Sequence, residues 1–239
     1  MLARTIAEDL RDASGKTRYL PGDKLNEVEV AAQYDVSRNT LREAFAALAA
    51  EQLLVRIPNR GVFIATPDVD YIVDLYRARA IIEPAGALWG ESLDISYLLS
   101  VTHNSIESLN QDDLEALGEN NQKFHRALVT AAGSQTLNQE MNNLLARMRL
   151  SWLQVLPSYP SLHSKNVEEN AKIAKLLASG QRYEATELVR TNLMINLYRI
   201  LGALRTAQNA RNHKCKEQER EIDNSFPAAE IKFEPPTMQ

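Results

Sequence analysis

Apolar residues recur at helical spacing through most of this chain, apart from one short stretch near its start that reads as strand. Asn26 is a capping residue with Glu29 three positions on, and Val30, Ala31 and Tyr34 then supply an apolar face of one to two turns. Asp35 and Val36 make a short break. Ser37 caps the next helix, in which Leu41, Ala44, Phe45 and Leu48 repeat at intervals of three and four. Leu53-Leu54-Val55-Arg56-Ile57 and Gly61-Val62-Phe63-Ile64 then flank a Pro58-Asn59-Arg60-Gly61 turn, which predicts a β-hairpin. Beyond Thr66-Pro67-Asp68 the pattern becomes helical, because Pro67 cannot continue the ladder. Asp68 or Asp70 can open a helix through Ile72, Leu75, Tyr76, Arg79, Ile82 and Glu83. Further helices are predicted over 92–109, 112–132, 134–156, 165–178 and 181–208. Gly118 and Gly133 read as break points, Pro157 to Pro160 as a loop, and Gly180 as a C-terminal cap.

Two short helices split by a tight turn and followed by a hairpin are the parts of a winged helix-turn-helix, and they make double-stranded DNA the leading partner. The cap places Ser37, Arg38, Asn39, Thr40 and Arg42 on the first turns of the second helix, at its positive dipole end. Arg38 and Arg42 lie four apart on one face, as two donors to guanine or phosphate need to be. Arg60 and Gly61 fall at the hairpin tip, from which a cation can enter an adjacent minor groove. Without function, the same residues read as a small α/β segment with a solvated arginine face. Six later helices make a bundle with apolar stripes turned inward. The expected fold is mainly α: a winged helix-turn-helix with a small β-hairpin wing, then an all-α six-helix bundle. Expected domains are residues 1–66, which bind DNA, 67–210, which form the helical bundle, and a charged tail, 211–239, containing Pro227, Pro235 and Pro236. The first part of that tail, to about Glu221, can continue the last helix.

Charge narrows the DNA expectation. The net charge is −4, and residues 1–66 carry nine Lys/Arg against nine Asp/Glu, so a DNA surface must be a local patch. No stretch approaches the roughly 20 apolar residues of a membrane span, and Arg4, Glu8 and Asp9 interrupt any signal-like run. Cys215 is the only cysteine, which excludes an intrachain disulfide and fits a reducing cytoplasm, the expected location. No nucleophile-plus-base motif, phosphate-cradling glycine loop or metal cluster stands out, so an enzyme is not expected.

Pro21, Gly22, Asp23, Leu25 and Glu27, then Val36, Ser37, Arg38, Leu41, Arg42, Glu43 and Ala44, and finally Arg60, Gly61 and Val62, together resemble the DNA-binding domain of GntR-type bacterial transcription regulators. Many relatives carry an arginine on the first turn of the preceding helix; Val28 stands there in this chain. In the later helices Arg79, Glu83 and Pro84, then Phe124-His125-Arg126-Ala127-Leu128, and Ala185 to Leu193 resemble the FCD effector domain of the FadR subgroup, which implies that residues 67–210 bind an effector and dimerise. The six-helix count is more similar to the VanR-type branch.

The resemblance also implies a divalent metal held by an aspartate, the Phe-His histidine and two further histidines. The aligned positions here read Asn121, His125, Asn170 and Asn192, so His125 is the one strong ligand that survives. A neutral amide carbonyl competes poorly for zinc or nickel, and no metal or other cofactor is expected. Two readings stay open. The asparagines line a polar bundle core, or they form a hydrogen-bonding ring around a small polar effector with His125. Arg79 can anchor a carboxylate metabolite, or it can pair with Glu83 four residues on. His163 reads as a solvated loop residue able to replace a ligand, and His103 and His213 have no partner pattern. Arg147 and Arg149 can face pocket or solvent, and Trp152 is expected in the core.

The expected function is a homodimeric, sequence-specific repressor or activator that engages an inverted-repeat operator, with a small effector modulating its affinity. The alternatives are a DNA-binding regulator with a decayed, ligand-free effector domain, or a helical enzyme using His125.

Overall fold

The computed structural model of the protein describes residues 19–225, with side chains described to Thr206 apart from that of His163. In chain order the elements are β1 (Lys24–Leu25), α1 (Glu27–Gln33), α2 (Arg38–Ala50), β2 (Leu54–Ile57), β3 (Gly61–Ile64), α3 (Val69–Trp89), α4 (Ile95–Asn110) and α5 (Leu114–Thr130). They continue with α6 (Gln135–Val155), a 3-10 turn at Leu156–Ser158, α7 (Leu162–Ala178) and α8 (Arg182–Ser225). A small winged head is thus followed by six helices, and the molecule is mainly α.

Local chemistry builds the head. Asn26 Oδ1 accepts from the Val28 amide at 3.0 Å, while its Nδ2 donates to Glu29 Oε1 at 2.8 Å, so the capping box closes between side chains. Ser37 Oγ accepts from the Thr40 amide at 3.2 Å. The wing has a third strand that the apolar pattern did not reveal. β1 pairs antiparallel with β3, Leu25 opposite Val62, giving the sheet order β1-β3-β2. Two residues are too few to show a period. Their signal was the preceding turn, in which the Asp23 amide donates to the Leu20 carbonyl at 3.0 Å and Gly22 takes φ 91°. Proline then glycine at its centre is the type II arrangement, and only glycine adopts that φ without strain. The turn is bonded to β3 from both sides, through Gly22 N to Ile64 O at 3.1 Å and Ile64 N to Asp23 O at 2.9 Å.

In the bundle, Asp68 caps α3 by accepting from the Tyr71 amide at 2.8 Å, which decides between the two aspartates. Three sequence expectations change. Gly118 does not break a helix but sits inside α5. The stop comes earlier, at Asp112 with φ 56°, where Asp113 N bonds to Ser108 O at 2.9 Å and Asp112 N to Leu109 O at 3.3 Å. Asp35 and Gln52 close α1 and α2 in the same left-handed way, at φ 50° and 60°, and Gly180 closes α7 at 77°. Secondly, α7 starts at Leu162, so His163 belongs to a helix and not to a loop; its side chain lies outside the described ones. Thirdly, α8 does not stop near 208 but continues through the first part of the tail, as the sequence allowed to about Glu221, and runs to Ser225. The side chains of His213 and Cys215, and the tail from residue 226, lie outside the described parts.

α3 and α8 pack on each other antiparallel. Arg182 Nη1, at the start of α8, bonds the carbonyls of Ala87, Leu88 and Gly90 at the end of α3. α6 carries polar residues along its length, yet from Met141 to Val155 none of its residues is exposed. Its Met141, Leu144, Leu145, Met148, Trp152 and Val155 lie in the bundle core. Its Ala146 and Leu150 complete the core of the head, with Leu41, Phe45, Leu48 and Val62. Head and bundle are also tied where Tyr71 Oη donates to the Gln52 carbonyl at 3.2 Å, and the Arg147 guanidinium covers the Tyr71 ring at 4.5 Å.

Two glycine substitutions should have opposite signs. On Gly86 a Cβ would meet the Leu128 carbonyl, with Val129 Cα at 3.1 Å; on Gly118 it would meet nothing within 4 Å. Gly86→Ala is expected to destabilise by about 1–3 kcal/mol, because backbone must shift. Gly118→Ala is expected to stabilise by about 0.5–1 kcal/mol, the helix propensity difference. Urea unfolding of both variants beside the wild type measures this.

Candidate functional site

The outer face of α2 presents Ser37, Arg38, Asn39 and Arg42 to solvent, while Thr40 is half-buried. Ser37 and Thr40 are partly committed to the cap, their hydroxyls 2.9 Å apart. Arg38 has no ion pair among the described residues, and it points from the first turn with Asn39 beside it. Arg42 differs: its Nε bonds Glu27 Oε2 of α1 at 3.2 Å, and its carbonyl receives Arg56 Nη2 at 3.5 Å. That pair pins the two helices of the motif while leaving most of the Arg42 side chain exposed. Val28, on the first turn of α1, is 54% exposed and brings an apolar side chain to a face where a cation would serve DNA. At the wing tip, Arg60 and Gly61 are exposed, with the Arg60 guanidinium 5.9 Å from the Phe63 ring centre. Gly61 has φ 111°, and a Cβ there would lie 3.2 Å from Lys24 Cε, so the tip requires glycine.

A second constellation lies inside the bundle. Arg79 and Glu83, on one face of α3, are 1% and 0% exposed. Arg79 Nε donates to Glu83 Oε1 at 2.6 Å, its Nη1 points at Met148 Sδ of α6, and its guanidinium lies 5.0 Å from the Tyr76 ring centre. The other oxygen of the same carboxylate, Oε2, lies 2.6 Å from His125 Nδ1 on α5. Glu83 thus bridges a cation and an imidazole. Of the two roles open to Arg79, pairing with Glu83 is the one the side chains adopt.

Electrostatics follow from that bridge. Burial alone would push the Glu83 carboxyl up, but Arg79 and then His125 outweigh it and hold it below its ordinary 4.5. Burial works against the Arg79 charge, and Glu83 followed by Tyr76 overrides it in favour of the cation. For His125 burial wins: it pulls the imidazole below 6.5, with Glu83 opposing and Arg79 adding to the fall. The ring is therefore neutral near pH 7, with its proton on Nδ1 towards the carboxylate and its Nε2 lone pair free to accept.

One turn from His125, Asn121 Oδ1 accepts from Asn170 Nδ2 of α7 at 2.9 Å. Asn166, one turn before Asn170, and Asn192 of α8 are also buried. Three atoms of these buried amides have no hydrogen-bond partner: Asn121 Nδ2, Asn192 Nδ2 and Asn166 Oδ1. The α7–α8 hairpin that carries these residues is fastened below them, where Glu169 receives Arg199 at 2.8 Å and Asn196 at 3.3 Å. Sequence reasoning missed Asn166, whose only signal was its spacing of four from Asn170. It also missed that Glu83 joins Arg79 to His125, a contact across 42 residues that no local pattern encodes.

This donor set does not fit the divalent metal of related domains. Asn121 Oδ1 already accepts from Asn170, and three of the four aligned positions are neutral amides, weak ligands beside the one imidazole of His125. Among the described residues no group of three His, Cys, Asp or Glu side chains could hold an ion. Elsewhere, Arg147 faces neither pocket nor open solvent but the head–bundle seam, bonding Asp74 at 3.3 Å as well as stacking on Tyr71. Burial pushes the Tyr71 hydroxyl up to about 12, with Arg147 opposing, so it remains a donor to Gln52. Arg149 is half-buried, Trp152 is in the core as expected, and His103 is exposed beside Glu107.

Residues 2–64 match the family model of bacterial regulatory proteins of the gntR family, and residues 74–194 match the FCD domain. A GntR transcriptional regulator of known crystal structure from Rhodococcus sp. RHA1 is 30% identical, with a TM-score of 0.77 over 84% of this chain and 98% of that one. The Nta operon transcriptional regulator of Aminobacter aminovorans is 26% identical over 79% of this chain and 90% of its own length. The HTH-type transcriptional repressor GlaR of Escherichia coli is 28% identical over 74% and 85%. These matched families and relatives are regulators of transcription, not enzymes.

Stability should carry the signature of the buried bridge. The native pKa of His125 lies below its unfolded 6.5, so in the window beneath 6.5 the unfolded chain binds a proton that the native site refuses. Stability then falls as pH drops through that window. Glu83, also depressed, adds a further loss only below 4.5. Melting midpoints recorded from neutral pH down towards 4.5 should slope downward in the wild type and flatten in His125→Gln. Glu83→Gln leaves Arg79 buried without its counter-charge and is expected to cost about 3–5 kcal/mol at neutral pH by denaturant unfolding.

Proposed function

Because this chain belongs to the GntR family of bacterial regulatory proteins and carries an FCD domain, we propose that its affinity for a specific operator is set by a small molecule bound among Asn121, His125, Asn170 and Asn192. It is a DNA-binding transcription regulator; the effector and its site are the finer reading. The observation that carries this reading is the trio of buried amide atoms without partners. Each costs free energy in the core, about 1–3 kcal/mol, unless a guest or water satisfies it. A ligand that pairs with them recovers that cost only in the state it binds.

The path to DNA is physical. α6 sets Met148 against Arg79 on one side and Leu150 in the core of the head on another. A small displacement of α6 on ligand binding would therefore reach the seat of α2, with Tyr71 and Gln52 as a second link. The ligand can shift occupancy only through its difference in affinity between DNA-competent and incompetent arrangements.

Two copies acting on an inverted repeat are the form we propose for the DNA complex. Supporting a two-fold pairing, the α3–α8 face leaves Ile81, Trp89 and Tyr198 more than 70% exposed, with Ile195 beside Tyr198. On a monomer such a face would be a liability. No metal is required in this reading, for the reasons of donor chemistry given above. No helix among the described residues is long and apolar enough to cross a membrane, which accords with action on DNA in the cytoplasm.

The reading is tested by retaining fragments of the host genome on the purified full-length protein at two salt concentrations and sequencing them. One inverted repeat should emerge, with affinity falling steeply as salt rises. Arg38→Ala should then weaken binding to that repeat by about 1–3 kcal/mol and blur one base position. Equal weakening on random DNA would assign Arg38 to phosphate instead.

A further inference from the structure

The chemistry of the bundle site also specifies the charge of its guest. Two cations of this region already have their own carboxylates. Arg79 is matched by Glu83 at 2.6 Å, and Arg199 by Glu169 at 2.8 Å. Both oxygens of Glu83 are occupied, by Arg79 and by His125 Nδ1, and the side chain is wholly buried. What remains unsatisfied among these side chains is neutral: the donors Asn121 Nδ2 and Asn192 Nδ2 and the acceptor Asn166 Oδ1. His125 Nε2, whose ring proton is held on the other nitrogen, adds a second acceptor.

We propose that the effector is an uncharged, hydroxyl-bearing molecule of the sugar or polyol class, held by Asn121, Asn166 and Asn192 and by His125 Nε2. A hydroxyl both gives and accepts a hydrogen bond, so two or three on adjacent carbons answer two amide donors and two acceptors. A carboxylate answers only the donors. It would meet a lone pair on His125, and it would bring an unmatched negative charge beside Glu83. The inference rests on the effector reading above and narrows it to one ligand class.

The test uses the full-length protein and two probes from one bacterial metabolite extract, the neutral flow-through and the bound eluate of an anion-exchange resin. Thermal stabilisation by each is measured. Matched compounds of one carbon skeleton follow: an alditol, its aldose and its aldonate. Stabilisation by the neutral fraction is expected, with an aldonate at least about 10-fold weaker than its uncharged partners. Stabilisation confined to the anionic eluate overturns the uncharged class and leaves the effector reading standing. No stabilisation by either fraction overturns the effector reading together with it. Asn192→Leu removes an amide nitrogen without a partner at similar volume, so the free protein should keep or raise its melting midpoint. Its response to the neutral fraction should require at least about 10-fold more ligand. A lower midpoint with the response intact would make Asn192 part of the scaffold and overturn its assignment. Asn166→Leu, read in the same way, serves if the first variant does not fold.

Discussion

A positive and a negative charge, both out of reach of water, have to neutralise each other inside the bundle, and much of the site follows from that requirement. Arg79 and Glu83 meet at 2.6 Å from neighbouring turns of α3. Desolvating two such charges is expensive, and only tight geometry with further hydrogen bonds offsets it. The further partners come from other helices: His125 on α5 takes the second carboxylate oxygen, and Met148 on α6 lies against the guanidinium. The pair therefore fixes the register of α3 against α5 and α6. It also leaves the imidazole neutral and turned, with one nitrogen spoken for. The surrounding asparagines inherit a site without spare charge.

The same arrangement accounts for how a buried event can reach an exposed helix. Packed cores respond to a change in one side chain by repacking, not by yielding continuously. From Met141 to Val155 no residue of α6 is exposed, so a displacement there meets packed side chains; only its first turns, at Gln135, Thr136, Gln139 and Glu140, face solvent. In the effector reading, a shift at Met148 would be felt at Ala146 and Leu150, which belong to the apolar core of the head.

How much of this was legible depended on the range of the interaction. The winged head could be read because its signals are local: Ser37 and Asn26 cap, Gly22 and Gly61 supply positive φ, and Leu41, Phe45 and Leu48 set the helical face. The six bundle helices were readable for the same reason, and their ends less so. Gly118 resembled a stop because glycine favours ends, yet the chain stopped at Asp112, a residue type that tolerates the left-handed conformation and is held there by the Schellman bonds around it. β1 was invisible because its two residues gain strand geometry only from β3. In the site, Asn121 and His125 could be placed together from their spacing of four. The bridge from Glu83 to His125 could not, because it depends on the packing of α3 on α5, and Asn166 gave too faint a periodic hint.

One feature of α6 bears on how such regulators are assembled in evolution. Heads and sensing bundles are often treated as exchangeable cartridges joined by a linker. Here the border is not at the connecting Pro67, since Ala146 and Leu150, some eighty residues later, are part of the inner wall of the head. A transplanted head would arrive with a socket shaped for another chain's α6. Recombination at the linker alone would thus yield a chimaera with a gap or a clash at that socket. Successful exchanges must carry these two residues with the head, or drift until they suit it.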